Sequence, residues 1–146
     1  MFSAYCPDLL LGQCLTDVAR TPDFIVRWTF SGRTSPYILQ TYCGFRVTHE
    51  GETILSQRML YTRTDFDESL TDANRRFDHD VVRLTSLLPV KIVSVKCSNT
   101  NDLILCAENH LRIEIFADAP PVCEDWRFGP QDDVRLSAFT DCVHLK

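Results

Sequence analysis

The sequence predicts an α+β protein, mostly antiparallel β, in which two similar β-meanders form a sheet or partly open barrel with one main helix packed on it. Three observations predict it. Short apolar runs rich in β-branched residues, such as Val90–Val95, Leu103–Cys106 and Leu111–Phe116, are separated by Asn- and Asp-rich breaks, the pattern of consecutive strands. A stretch without Gly or Pro, from Thr64 to Leu88, carries apolar residues at helical spacing. The strand pattern also occurs twice. LLGQCLTDV at 10–18 lines up with LLPVKIVSV at 87–95, DFIVRW at 23–28 with DLILCA at 102–107, and YILQT at 37–41 with LRIEI at 111–115.

In chain order, residues 1–9 form a lead-in in which Pro7 limits regular structure. Gly12–Ala19 reads as a strand after a tight turn. Thr21-Pro22-Asp23 is a turn signal. In DFIVRWTF, Phe24, Val26 and Trp28 alternate with Ile25, Arg27 and Thr29, the period of two that marks a strand. After the SGRTSP loop, Tyr37, Leu39, Thr41 and Cys43 alternate with Ile38, Gln40 and Tyr42. That strand passes Gly44, a bulge or bend, and continues through Phe45 and Val47. His49-Glu50-Gly51-Glu52 is a hairpin turn, and Thr53–Gln57 pairs back from it.

The segment 58–86 is polar and links the two repeats, 10–57 and 87–128. Phe77, Val81, Leu84 and Leu88 follow the i, i+4, i+7, i+11 rhythm of one helical face. A helix is expected from Asp78 to Leu87, capped by Asp78 or Asp80 and ended by Pro89. An earlier turn at Asp65–Arg76 has Thr64 or Asp65 as its cap. Beyond Trp126, the alternation Val134, Leu136, Ala138 could add an edge strand.

At 146 residues a single domain over 1–146 is expected, long enough to fold without a metal or a staple. The formal net charge of −5 and pI near 5.3 argue against a generic nucleic-acid binder, which needs a basic face. They suit a basic protein partner. The start MFSAYCPDLLLGQCL lacks a signal peptide's basic region and long apolar core, and no run reaches the roughly 18 apolar residues of a membrane span. The seven cysteines (Cys6, Cys14, Cys43, Cys97, Cys106, Cys123, Cys142) are scattered, without CxxC. Reduced thiols in the cytoplasm are therefore expected, several of them as small core residues.

No stretch spells out a reaction. Asp78-His79-Asp80 resembles a metal cluster, but adjacent helical residues point apart and cannot converge on one ion. Cys97 or Cys106 beside His110 could form a Cys–His pair, although both cysteines sit inside strand patterns where a core role is expected. No G-x-S-x-G elbow or phosphate-cradling loop is present. Neither catalysis nor a cofactor or metal is expected. The acidic residues are more suggestive. Asp65, Asp67, Glu68, Asp72, Asp78 and Asp80 share one window with Arg75 and Arg76, and Asp118, Glu124, Asp125, Asp132 and Asp133 surround Trp126. Carboxylates around an exposed aromatic suit docking on a basic surface; Trp126 taken alone reads first as a core residue, the commoner fate of tryptophan.

DLILCAENHLRIEIF followed by EDWRFGP, with LLGQCLTDV and DFIVRWTF before it, resembles the strand–turn–strand and Glu-x-Trp pattern of small bacterial immunity proteins from polymorphic toxin systems, including contact-dependent growth inhibition. The resemblance covers about half of the chain and carries no catalytic residue across. It implies a cytoplasmic antitoxin that neutralises one cognate toxin, often a basic nuclease, by covering its active site. On this reading Asp65, Asp67, Glu68, Asp72, Glu124, Asp125 and Trp126 form the partner surface, with no direct nucleic-acid or membrane contact. The alternative is a small-ligand module or enzyme whose barrel-like interior holds a pocket lined by Trp28, Tyr37, Tyr42 and Phe45.

Overall fold

The computed structural model describes residues 5–20, 25–56, 77–117 and 125–132. Among the described residues, nine strands make one antiparallel sheet: β1 (Cys14–Arg20), β2 (Val26–Phe30), β3 (Tyr37–Thr41), β4 (Gly44–His49), β5 (Glu52–Ser56), β6 (Val90–Cys97), β7 (Leu103–Ala107), β8 (Leu111–Phe116) and β9 (Trp126–Pro130). Their order is β5-β4-β8-β7-β6-β1-β2-β3-β9. Residues 77–85 form a helix, α1. The expected class, mostly antiparallel sheet with one helix upon it, is what the chain adopts, and the sheet is open.

The sequence repeat is a structural one. Each repeat contributes a three-stranded meander, β1-β2-β3 and β6-β7-β8, and the two meet where β1 pairs antiparallel with β6. Aligning 10–18 with 87–95 makes Cys14 the counterpart of Lys91, and these two residues stand directly opposite each other across that junction. A pseudo-two-fold axis therefore passes between them. The ladder is prolonged by Ile92 N–H donating to Gln13 O at 2.8 Å and Gly12 N–H to Ile92 O at 2.9 Å.

Each repeat also has a fourth strand, and the two exchange it. β4 follows β3 in the chain but pairs with β8, while β9 follows β8 and pairs with β3. Phe45, Arg46 and Val47 lie opposite Ile115, Glu114 and Ile113; Trp126, Arg127 and Phe128 lie opposite Thr41, Gln40 and Leu39. The trio Phe-Arg-Val in one repeat thus occupies the place of Trp-Arg-Phe in the other.

This exchange corrects the expectation of one strand running from Tyr37 past Gly44. The chain leaves β3 at Thr41, turns through Tyr42 and Cys43, and starts β4 at Gly44 on the other half of the sheet. Gly12 and Gln13 likewise belong to a turn, with Gly12 at φ +84°, and the lead-in contains a short 3-10 turn at Pro7–Leu10 with proline in its first turn. The hairpin from β4 to β5 is as expected, with Glu50 at φ 52° and Gly51 at φ 81° supplying the left-handed pair such a turn requires.

The sheet curls so that its halves share one core. β2 and β4 are five strand spacings apart in the sheet order, about 24 Å if flat. Yet the Trp28 and Phe45 rings meet edge to face at 5.4 Å. Phe77 of α1 joins them, 6.5 Å from Phe45. Trp28, Phe30, Phe77, Trp126 and Phe128 are essentially buried, and removing a ring of this kind from water stabilises the fold by about 2–3 kcal/mol. Phe77, Val81, Leu84 and Leu88 face this core as their spacing predicts. Phe77 is itself helical, so Asp78 and Asp80 lie within α1 and are not its caps, and the helix ends at 85 rather than 87. Successive bonds from Ser86, Leu87 and Leu88 N–H to Val82, Leu84 and Thr85 O then close it before β6 begins.

Candidate functional site

Three of the four residues expected to line an interior pocket, Trp28, Tyr37 and Phe45, belong to the core cluster, and Tyr42 is half-buried. Trp28, Tyr37 and Phe45 are 0%, 8% and 3% exposed. Tyr37 leans on Phe128 with centroids 5.6 Å apart, and the indole N–H of Trp28 donates to Thr41 Oγ1 at 3.0 Å, which satisfies the polar atom that aromatic burial would otherwise strand.

Of the residues assigned to a partner surface, Asp65, Asp67, Glu68, Asp72 and Glu124 lie outside the described residues, as do the proposed turn at 65–76 and the tail alternation at 134–138. Asp125 is half-buried at the head of β9, where its carbonyl accepts from Tyr42 N–H at 3.1 Å. Trp126 is 1% exposed, and its indole N–H donates to Asn101 O at 2.8 Å. That corrects its role as an exposed docking anchor. β9 is the edge strand beside β3, its alternate residues point inward, and the ring closes the core over the β6–β7 turn.

The described end of the acidic window is tied into the fold. Asp78 takes a bidentate ion pair from Arg20, with Nε and Nη2 at 2.9 and 2.8 Å, which fastens α1 to the end of β1. Asp80 contacts His79 Nδ1 at 3.0 Å, and Arg83 reaches Glu52 at 3.3 Å, binding the other end of α1 to β5. Among the described residues no cluster of three or more His, Cys, Asp or Glu could hold a metal ion.

The cysteines depart from the expected core role. Cys97 is exposed at the end of β6 and Cys106 is half-buried on the outer face of β7; only Cys43 is buried among the five described, all of which are free thiols. Partial burial of its sulfur holds the Cys97 thiol above the ordinary value, with Cys6, Asp8 and Asp102 adding to the shift. A raised thiol is the wrong direction for a nucleophile at neutral pH.

The most distinctive polar surface escaped the sequence reading. On the outer face of the β4-β8-β7-β6 half, the register places Arg46, Glu114, Ile104 and Lys96 in one row, with Arg112 and Cys106 in the next. Arg46 Nη2 lies 3.0 Å from both Glu114 oxygens, Arg112 Nε approaches Oε1 at 3.4 Å, and the Arg46 guanidinium sits 5.6 Å from the Phe116 ring centre. Arg46 and Arg112 are about half exposed, at 47% and 48%, whereas Glu114 is 13% exposed. The signal was the alternation within LRIEIF, whose outward phase is Arg112, Glu114, Phe116.

No family model matches the chain, and comparison with curated proteins and with solved structures found no match. Among the described residues, no helix is long and apolar enough to cross a membrane.

Proposed function

We propose that this chain is an immunity-type binding protein, not an enzyme, which neutralises a cognate toxin domain in the bacterial cytoplasm by laying an acidic surface over its active site. One observation supports this most. Among the described residues, rings from both halves pack against one another in one core, which favours recognition by the outer surface. The carboxylates concentrate on the segment leading into α1, and their last described members are anchored there through Asp78. A basic nuclease is the partner such a surface suits, its cleft accepting carboxylates where phosphates would lie.

The test begins with the reading frame beside this one. If it encodes a large secreted protein, its C-terminal domain, expressed alone, should arrest growth and be relieved by co-expression of this chain. Reversing Asp65, Asp67 and Glu68 together to lysine should then slow association at least tenfold at low ionic strength and much less in high salt. Relief of arrest that survives the triple reversal, with unchanged association at low salt, would place the interface elsewhere.

A further inference from the structure

The two outer faces of the sheet are built alike and finished differently. In the first repeat, the outward positions Ile38 and Gln40 of β3 are 3% and 2% exposed, so this strand, one in from the sheet edge, is buried on both sides. Their counterparts in the second repeat are Arg112 and Glu114 of β8, two strands from the edge of the same sheet. There the face is open. Arg46, Arg112, Lys96 and Phe116 all stand out from it, with Phe116 39% exposed.

We propose that the outer face of β4, β8, β7 and β6 is a docking surface for an acidic segment of a protein, with Arg46, Arg112 and Lys96 as its cationic contacts and Phe116 with Ile104 as its apolar floor. The charge is not incidental. Glu114 is the acid among them, and both of its oxygens are engaged by Arg46, so what the face offers to a visitor is positive. The shared carboxylate also fixes the guanidinium groups in place, which lowers the entropy lost when they bind a second anion. In a chain of formal charge −5, three exposed cations gathered on one sheet face run against the overall balance. From Arg46 to Lys96 the row crosses three strand spacings, about 14 Å, the span of four or five extended residues. A peptide alternating acidic and apolar side chains meets both the cations and the Phe116–Ile104 floor. A polynucleotide fits less well, being repelled by the net charge and by Glu114. This surface is opposite in sign to the acidic one and does not depend on the immunity reading.

The test uses the full chain, labelled with nitrogen-15, titrated with a ten-residue peptide alternating glutamate and phenylalanine, and in parallel with a duplex DNA and a poly-lysine peptide of similar charge. The expected result is amide shifts confined to β4, β8, β7 and β6 on adding the acidic peptide. Its affinity should fall about tenfold or more in a K96E/F116A variant, which leaves the Arg46–Glu114 pair intact, and should fall as salt is raised. Reversing Asp65, Asp67 and Glu68 should leave it unchanged, which separates this surface from the toxin-facing one. Shifts that map elsewhere, persist in K96E/F116A, or arise only with DNA or poly-lysine would overturn the proposal, as would no shift up to millimolar peptide.

Discussion

The two repeats share a plan and differ in what they do with its outer face. Gln40 in the first and Glu114 in the second occupy matched positions on the third strand, each opposite an arginine on the exchanged fourth strand, Arg127 and Arg46. Gln40 is 2% exposed, and with its amide oriented to satisfy its neighbours, the oxygen accepts from Arg27 Nη2 and Nε at 2.8 and 3.3 Å. Glu114 holds two half-exposed arginines on an open surface. A neutral amide suits the covered site, since a buried carboxylate would lose its hydration; a carboxylate suits the open one. One scaffold position is structural in one repeat and displays charge in the other.

The core should be the part least tolerant of change, and in both repeats alike. Trp28→Ala and Trp126→Ala should each cost about 3–5 kcal/mol in denaturant unfolding, the usual toll of deleting a buried ring. Trp28 touches Phe45 of the exchanged strand and Trp126 closes over Asn101, so each links the two halves. If either substitution cost under about 1 kcal/mol, the halves would not share a core, and the pseudo-two-fold description would fail with it.

Turn chemistry offers a second contrast. The β2–β3 loop of the first repeat carries Gly32, where a Cβ would overlap the backbone carbonyl of Ser35. The β7–β8 turn of the second carries Asn109 at φ 63°, which asparagine tolerates. Gly32→Ala should destabilise by about 1–3 kcal/mol, because backbone must move to admit the methyl group. A thermal melt unchanged from the parent would show that this loop yields freely.

How much of this was legible beforehand follows from what sequence patterns encode. The meanders, the hairpin at Glu50-Gly51 and the helical face of Phe77, Val81 and Leu84 follow from local periodicity and turn chemistry, and all are present; Leu88 meets the same core from beyond the helix end. The exchange of fourth strands is not local. Tyr37–Val47 alternates almost without interruption, and nothing in that alternation says that the first five residues pair with β9 and the last few with β8. A fourth repeated feature, Phe45-Arg46-Val47 against Trp126-Arg127-Phe128, was available in the sequence and would have decided Trp126 for the core. The outer-face cations were hidden for a related reason: Arg46 and Lys96 are 50 positions apart and become neighbours in one row only through β8 and β7.

Matched substitutions at the third-strand position sharpen the comparison at smaller energies. Gln40→Ala should cost about 1–2 kcal/mol, losing a buried hydrogen bond to a charged donor. Glu114→Ala should cost less than about 1 kcal/mol, since Arg46 and Arg112 can return to water. The order of the two effects is the informative result. If Glu114→Ala were the costlier, the open face would be structural and its charges would not be available to a partner.

The subtlest contrast lies at the ends of the two central strands. Under the repeat alignment Arg20 closes β1 where Cys97 closes β6. Arg20 is held by Asp78, whereas Cys97 is raised above the ordinary thiol value first by partial burial and then by Cys6, Asp8 and Asp102. A raised value means that the folded chain keeps this proton over a pH interval in which the unfolded chain has lost it. The linked stabilisation is therefore present below the unfolded-state value, near 9, and is lost as pH rises through the folded one. Alkylation requires the thiolate. The rate of Cys97 modification by iodoacetamide, followed peptide by peptide in a mass spectrometer, should thus rise at higher pH in the native protein than in urea. Cys6→Ser should move the native curve only part of the way back, because burial is the larger cause. Coincident native and unfolded curves would mean that the end of β6 is as fully hydrated as a free thiol. The two strand ends would then differ only in Arg20's ion pair.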